Sequence, residues 1–469
     1  MNLEALDSYF WVINSIISAF IILDGQKYIE FSFLTILLIL SILLNVTNHR
    51  PSFRQGAGNG IICGSMSAVA TLAAVGSPLF DVAVVVGIVI VLIFLLTRRL
   101  IPTSDFKVVP IVSLFVLIIS QQFCKWNIYY TLRVGVAISL SLLTLTILMY
   151  KAPNSFSIGE FILVSILSSL PIPFVFDSTG LKRFLSIFVT FGVIILCVAL
   201  FTKNPLTIIL GGLPILISYK EIPLVIKFVF QTRRILIISY CGAICLVFIL
   251  ISNFWNGLKK FPQIVQRKFF HLMALLVFVP PIIMEPDLLK LMICGAIFVF
   301  LFVESLRITK FPIISNIISN YVSGFIDERD SGELVLTHLY LLLGLGLPIL
   351  LSDLRTPSLL IVQISGLSVL AIGDAAASIV GVNFGKHKWP GSKKSYEGTF
   401  GAFIGTFLCM FCIQQIHHID LSFLNIFVLS VESLMASLDE AFTSQIDNLI
   451  LPFSMIPWIC FCSLFVHRS

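Results

Sequence analysis

Apolar runs of about 17–25 residues, separated by short polar or Pro- and Gly-containing breaks, recur from one end of the chain to the other. A run of that length crosses roughly 30 Å of hydrocarbon as an α-helix. A helix also satisfies its own backbone groups, which lipid cannot do. The pattern predicts about fifteen spans, roughly 13–17, the count being blurred where Pro and Gly interrupt a run. The expected fold class is all-α: a polytopic transmembrane helical bundle with no soluble domain, because the polar interruptions are too short to build one. The longest of them runs from Arg307 to Glu333. The first apolar run, Phe10 to Leu23, is expected to be a retained span, since MNLEALDSYF lacks the basic segment and small-residue cleavage site of a signal peptide.

Two segments differ in character. Over 1–252 the chain is a succession of spans joined by short loops. Basic residues in those loops include Arg50, Arg54, Arg98, Arg99, Lys107, Lys151 and Lys203. Over 253–469 the polar residues become clustered and patterned. No repeat of fixed period and no low-complexity tract is visible. Alternating the spans puts the loops at 47–56, 98–107, 150–157, 253–268, 306–333 and 382–397 on one side. Together they hold roughly 17 of the 30 Lys and Arg, which makes that side cytosolic by the positive-inside rule. Lys220 to Arg234 is basic but falls on the other side. It is either an interfacial amphipathic helix or a sign that the count is off by one there.

Composition supports the same class. The 469 residues are 58% hydrophobic and 12% charged, with mean hydropathy +1.04, whereas a soluble domain is typically about 25% charged. The net charge of +6 adds little, because orientation follows loop Lys and Arg. The ten Cys are scattered, mostly inside apolar runs, and read as small buried hydrophobes rather than as a redox or zinc framework.

One polar stretch stands out against this background: GDAAASIVGVNFGKHKWPGSKKSYEGT, Gly373 to Thr399. Polar groups in or beside lipid are costly and usually functional. An apolar helix, Ile361 to Val380, is predicted to carry Asp374 near its end, with Ser378 and Gly381 on the same face at i+4 and i+7. The loop after it combines Gly381, Gly385, Gly391 and Gly398 with Lys386, Lys388, Lys393 and Lys394. Glycines let backbone N–H groups approach an anion, and lysines supply point charges for phosphate. Glu397 then precedes the next span. Lys393-Lys394-Ser395 is superficially like the end of a P-loop, but the GxxxxGK[ST] pattern and its preceding strand are missing, so this is no Walker A site. The competing reading is a solvated basic loop that only sets topology.

Further clusters follow. Glu440, Thr443 or Ser444, and Asp447 share a helical face, a spacing suited to Mg²⁺ held through one or two carboxylate oxygens, or simply a polar connection between spans. Gln266 to His271 enters a span, with Arg267 and His271 one turn apart; snorkelling cations are the plain reading of the first, and His271 lies deeper. Glu304 and Arg307 form an i, i+3 pair at a span end. Asp327 to Glu333 makes a short charged loop. His417-His418-Ile419-Asp420 is metal-like in composition but short, isolated and on the opposite side, so metal binding is not expected there.

Taken in order, these stretches resemble the CTP-dependent polyprenol kinase family. RKFFH (Arg267 to His271) is similar to its R-K-x-x-H. Glu304 and Arg307 match its E-x-x-R. GDAAASIVG (Gly373 to Gly381) is similar to its G-D-x-x-A-S-x-x-G. WPGSKKSYEGT (Trp389 to Thr399) is similar to its W-P-G-[ST]-K-K-[ST]-x-E-G-T. EAFTSQIDNLILP (Glu440 to Pro452) is similar to its E-x-x-T-x-Q-x-D-N-x-x-x-P. The likeness covers about the last 220 residues, with no departure at the motif positions, and the first half matches only as a set of spans.

The resemblance implies an endoplasmic reticulum, multi-pass enzyme that moves the γ-phosphate of CTP to dolichol. Dolichyl phosphate, the lipid carrier for N-glycosylation, mannosylation and GPI-anchor synthesis, and CDP are the implied products. It implies a cytosolic CTP-binding loop made of Val382, Asn383, Phe384, Gly385, Lys386, His387, Lys388, Trp389, Pro390, Gly391, Ser392, Lys393, Lys394, Ser395, Tyr396 and Glu397. Within it, Lys393 and Lys394 are expected on the phosphates, with Lys386 and Lys388 helping. The Gly385, Gly391 and Gly398 backbone would cradle the same oxygens, and Ser395 would donate a hydrogen bond. The candidate catalytic residues are Asp374, Glu397, His271 and Asp447. Asp374, with Glu397 or Asp447, is expected to hold Mg²⁺ or a similar divalent cation. A carboxylate or His271 would orient the polyprenol hydroxyl, the choice staying open. The isoprenoid tail would lie among spans, in lipid-facing grooves lined by Phe and Leu, and Trp389 or Tyr396 would stack on cytosine. The expected partners are CTP, dolichol and membrane lipid, with no nucleic acid; the oligomeric state is not indicated. The alternatives are a CTP-dependent phytol or diacylglycerol kinase, a cytidylyltransferase or, from another class, a secondary transporter with midplane ions.

Overall fold

The protein, seen in a computed structural model, is described over residues 3–47, 59–97, 108–177, 180–258, 263–323, 332–351, 357–390, 392–416 and 422–466, with side chains at 3–5, 97, 252–258, 263–269, 272, 321–323, 357–359 and 464–466 left aside. Arg50, Arg54, Arg98, Arg99, Lys107, Asp327, Glu328, Arg329, Asp330, Gly391, His417, His418 and Asp420 fall outside the described residues, as do the side chains of Gln266, Arg267 and Lys268.

Every regular element among the described residues is helical, and a helix satisfies its own backbone groups in lipid. The first segment forms α1 (Leu3–Asp24), α2 (Tyr28–Thr47), α3 (Ile61–Ala74), α4 (Phe80–Thr97), α5 (Val108–Cys124), α6 (Ile128–Lys151), α7 (Ile158–Ser169), α8 (Ile172–Val175), α9 (Leu181–Thr202), α10 (Leu213–Ile217), α11 (Ile222–Val229) and α12 (Thr232–Leu258). Then come α13 (Gln263–Met284), α14 (Pro286–Ile308), α15 (Ile314–Ser323), α16 (Thr337–Leu351), α17 (Pro357–Gly366), α18 (Ala375–Phe384), α19 (Tyr396–Ile416), α20 (Phe423–Phe442) and α21 (Asp447–Val466). Among the described residues, nine helices are long and apolar enough to cross a membrane. A bent pair, Pro205–Ile217 with Ile222–Val229, passes the same test together, and six shorter apolar helices accompany them. The chain is thus an all-α, polytopic membrane protein, as its hydrophobic pattern predicts.

The basic segment from Lys220 to Arg234 lies at that bend, where the helix pair turns through 83°. α11 buries no residue. Arg234 donates to Glu285 at 2.9 Å and to the Phe228 carbonyl, with its guanidinium 3.6 Å from the Phe228 ring centroid. Glu285 follows the C-terminal end of α13, and 22 residues at about 1.5 Å each put it some 33 Å from that helix's start. The segment therefore lies at the end of the bundle away from His271.

One buried core runs through both segments. α1 and α3 pack on α21, and the Thr71 hydroxyl donates to the Phe453 carbonyl at 3.0 Å. Close approach depends on small residues: a Cβ at Gly64 would sit 1.9 Å from the Gly159 carbonyl oxygen, and one at Gly159 would sit 1.8 Å from that of Gly60. That contact presses the start of α3 onto the start of α7, which is opened by a capping box. The Ser157 hydroxyl takes the Glu160 N–H at 3.1 Å, and the Glu160 carboxylate takes the Ser157 N–H at 2.7 Å.

The helix predicted over Ile361 to Val380 is present, with a difference. Between α17 and α18 the chain winds as a π-helix over Leu367–Asp374. Such wide turns are rare and often mark functional sites. This one ends on Asp374, so the α-helical spacing of Asp374, Ser378 and Gly381 holds from that residue onward.

Candidate active site

The loop after α18 is a small hairpin. Trp389 N–H donates to the Lys394 carbonyl and Tyr396 N–H to the His387 carbonyl, both at 3.0 Å, and Lys388 bridges Ser395 in antiparallel fashion. Trp389 pins it. Its indole N–H donates to the Thr399 hydroxyl at 2.9 Å, and its ring lies 4.0 Å from that of Tyr396 and 4.9 Å from that of Phe442, centroid to centroid. The two aromatics expected on cytosine are thus packed on each other.

Ser395 caps α19: its hydroxyl accepts the Gly398 N–H at 3.1 Å, and the residue is 3% exposed. Gly385 N–H goes to the Gly381 carbonyl at 3.2 Å. The expectation that Gly385 and Gly398 cradle phosphate with their backbones does not fit this geometry, because both N–H groups are already used. The glycines serve another purpose. A Cβ on Gly385 would meet the Ser395 hydroxyl at 2.6 Å, and one on Gly398 at 3.1 Å, so they let α18 and α19 close around that side chain.

Glu397 turns back into the loop. Its carboxylate receives the His387 N–H at 3.2 Å and meets His387 Nδ1 at 2.7 Å. It braces the hairpin. Lys386, Lys388 and Lys393 stay exposed, as do Val382, Asn383, Phe384 and Pro390, while Ser392 is half-buried and its hydroxyl takes the Lys394 N–H at 3.1 Å.

Lys394 reaches across to the end of α20, where its Nζ lies 2.8 Å from Glu440 Oε1 and also meets the Glu440 carbonyl. The two motifs, some 46 positions apart, are brought together by this pair. Asp447 opens α21 just beyond, its Oδ1 taking the Asn448 N–H at 2.9 Å. Deeper in, His271 Nε2 lies 3.3 Å from Asp374 Oδ2, the two residues being 3% and 8% exposed. A carboxylate set beside an imidazole fixes the orientation of the ring, which suits a proton-accepting histidine.

Glu304 and Arg307 form the expected pair, bidentate at 2.8 and 2.6 Å, and do more. Glu304 Oε1 accepts the Val335 N–H at 2.8 Å, and Arg307 donates to the Glu333 carbonyl at 2.5 Å. Together they stitch down the chain entering α16.

Sequence reading did not find the socket that the first segment provides for residues 443–446. Glu160 Oε1 accepts the Ile446 N–H at 2.9 Å, and the Ser157 hydroxyl donates to Gln445 Oε1 at 2.5 Å. The S-x-x-E capping signature was its only local sign. Glu432 and Asp439 were also missed. Both are 1% exposed on α20, seven residues and so about two turns apart, and a carboxylate inside an apolar helix is itself a signal.

A polytopic helical membrane protein is therefore defined, with a lysine-bearing hairpin locked over the end of a bundle that holds a buried His–Asp pair. The relatives it matches carry one name. It is 32% identical over 267 residues to the dolichol kinase of Homo sapiens, covering 54% of this chain and 49% of that protein. It is 34% identical over 230 residues to dolichol kinase sec59 of Schizosaccharomyces pombe, covering 47% and 45%. It is 30% identical over 246 residues to dolichol kinase EVAN of Arabidopsis thaliana, covering 50% and 42%. The chain spans about half the length of these curated relatives. No family model and no solved structure matches it. The resemblance read from the motifs is borne out as a similarity to dolichol kinases.

Proposed function

We propose that this protein phosphorylates dolichol with CTP, giving dolichyl phosphate and CDP, in the endoplasmic reticulum membrane with the 382–397 loop facing the cytosol. Residues 253–469 would form the catalytic region. The observations that carry the reading are the Lys394–Glu440 pair, which joins the two kinase-like motifs, and the buried His271–Asp374 pair.

Phosphoryl transfer is chiefly positioning and charge neutralisation. The exposed Lys393, helped by Lys386 and Lys388, meets the CTP phosphates. Lys394, anchored by Glu440, sets the height of the hairpin over the bundle and adds charge near the transferred group. His271, oriented by Asp374, accepts the dolichol hydroxyl proton as its oxygen attacks phosphorus in line. Glu397 holds the hairpin through His387.

No group of three or more His, Cys, Asp or Glu side chains able to hold a metal forms among the described residues. Mg²⁺ does not need such a cage, since it binds through one or two carboxylates plus substrate phosphates and water. Asp374 and Asp447 are hard oxygen donors that suit it. When bound, the cation neutralises phosphate charge.

The test is product identity. With CTP labelled in its γ-phosphate, label must move to dolichol while CDP accumulates. Pyrophosphate as the product instead makes the protein a cytidylyltransferase.

A further inference from the structure

An elongated cavity of about 530 Å³ lies inside the bundle, walled by both segments of the chain. On one side it follows a single face of α16 and the residues just before it: Leu336, Tyr340, Leu343, Leu347 and Leu350. These recur at i, i+4, i+7, i+11 and i+14, so the cavity extends for roughly 21 Å along the helix at 1.5 Å per residue. The cavity is therefore long relative to its lining helices. Helices α6, α7 and α9 close it from the first segment, and α14 closes it from the second.

Its chemistry is graded. The middle of the wall is Leu, Val and Ile, with Thr144, Ser168 and Ser186 as scattered hydroxyls. Buried water needs two to four polar partners, which such a wall does not gather at one point. One end carries Lys182, Asp287 and Lys290, side chains suited to a membrane boundary. Phe156 and Leu334 line the other end. Leu334 is fixed there: Ser155 Oγ accepts the Leu334 N–H at 3.2 Å, and the Glu304–Arg307 pair holds Val335 and Glu333. His338, in the first turn of α16, meets the Phe270 ring at 5.5 Å, and Phe270 is the neighbour of His271.

We propose that this cavity takes the isoprene units next to the hydroxyl of the lipid alcohol, with the hydroxyl at the end nearest the Glu304–Arg307 pair and the hydrocarbon running toward Lys182 and Lys290. The inference rests on the reading of the protein as a polyprenol kinase and replaces the lipid-facing grooves expected from sequence. It gives the first segment a substrate-binding role, and it gives the E-x-x-R pair a positioning role, since neither side chain lines the cavity. A linear, flexible, apolar chain fits a long apolar space.

Two measurements on the full-length protein in lipid nanodiscs test this. First, a polyprenol carrying a diazirine on an isoprene unit near its hydroxyl, within the cavity's reach, is photolysed with the unaltered protein and the labelled peptides are mapped. Label on cavity positions such as Val193, Ile297 or Leu347 is expected. Label confined to lipid-exposed positions such as Ile209 or Leu236 overturns the proposal. Second, Val193→Trp, which fills the cavity, is expected to lower the ratio of long-chain to short-chain alcohol kcat/KM by about tenfold. An unchanged ratio overturns the proposal. The two readings fail separately: CTP turnover with label only on the lipid face removes the cavity site and keeps the kinase. Cavity label without CTP turnover removes the kinase and keeps a lipid site.

Discussion

Lys394 Nζ lies 2.8 Å from Glu440 Oε1, binding the hairpin before α19 to the last turn of α20. A half-buried charge pair costs most when one partner is left alone. Lys394→Ala and Glu440→Gln are each expected to lower kcat/KM for CTP about a hundredfold, near 2.7 kcal/mol. The exchange Lys394→Glu with Glu440→Lys should recover part of it. Steady-state kinetics checks this, and strictly additive losses would show that the pair is not coupled.

Asp374 and His271 should behave differently from the hairpin. If His271 accepts the hydroxyl proton, His271→Ala lowers kcat by about 10²–10⁴-fold with little change in KM for CTP. Asp374→Asn should lower kcat as well and also raise the Mg²⁺ concentration needed for half-maximal rate. A normal Mg²⁺ titration for Asp374→Asn removes the metal role from that residue.

Lys393 stands exposed on the hairpin, so its contribution is to nucleotide affinity. Lys393→Ala is expected to raise KM for CTP about tenfold with kcat nearly unchanged, and to weaken the salt dependence of KM. Equilibrium binding of CTP at two ionic strengths reads this directly. An unaltered affinity would return the lysine to a role in topology alone.

Glu160 supports the site from the other segment. Removing its carboxylate leaves the Ile446 N–H without its acceptor and breaks the cap of α7. Glu160→Ala is expected to cost about 1–3 kcal/mol of stability and to reduce turnover, while Glu160→Gln, which keeps an acceptor oxygen, should retain more of both. Thermal unfolding in detergent alongside kinetics separates them. Equal behaviour of the two variants contradicts the socket.

The spans were legible because length and hydropathy dictate them, and the loop was legible because lysines and carboxylates are expensive beside lipid. What the lysines touch was not. Lys394 and Glu440 each appear in a motif, yet nothing local says that one reaches the other. The Glu160–Ile446 bond joins positions 286 apart, which no periodicity can reveal. Ser395 and the glycines around it illustrate a subtler gap. Their residue types suit an anion cradle, and only the backbone shows that they cap and close two helix ends instead. Trp389 or Tyr396 was expected to stack on cytosine, whereas the Trp389 indole N–H goes to Thr399 and its ring packs on Tyr396 and on Phe442 of α20.

The central claim concerns donor and acceptor, and one matrix decides it: the purified full-length protein supplied with CTP or ATP and with dolichol or diacylglycerol. The account predicts phosphorylated dolichol and CDP from the CTP–dolichol pair, with the other combinations slower by orders of magnitude. Preferential phosphorylation of diacylglycerol, or equal use of ATP, would contradict it.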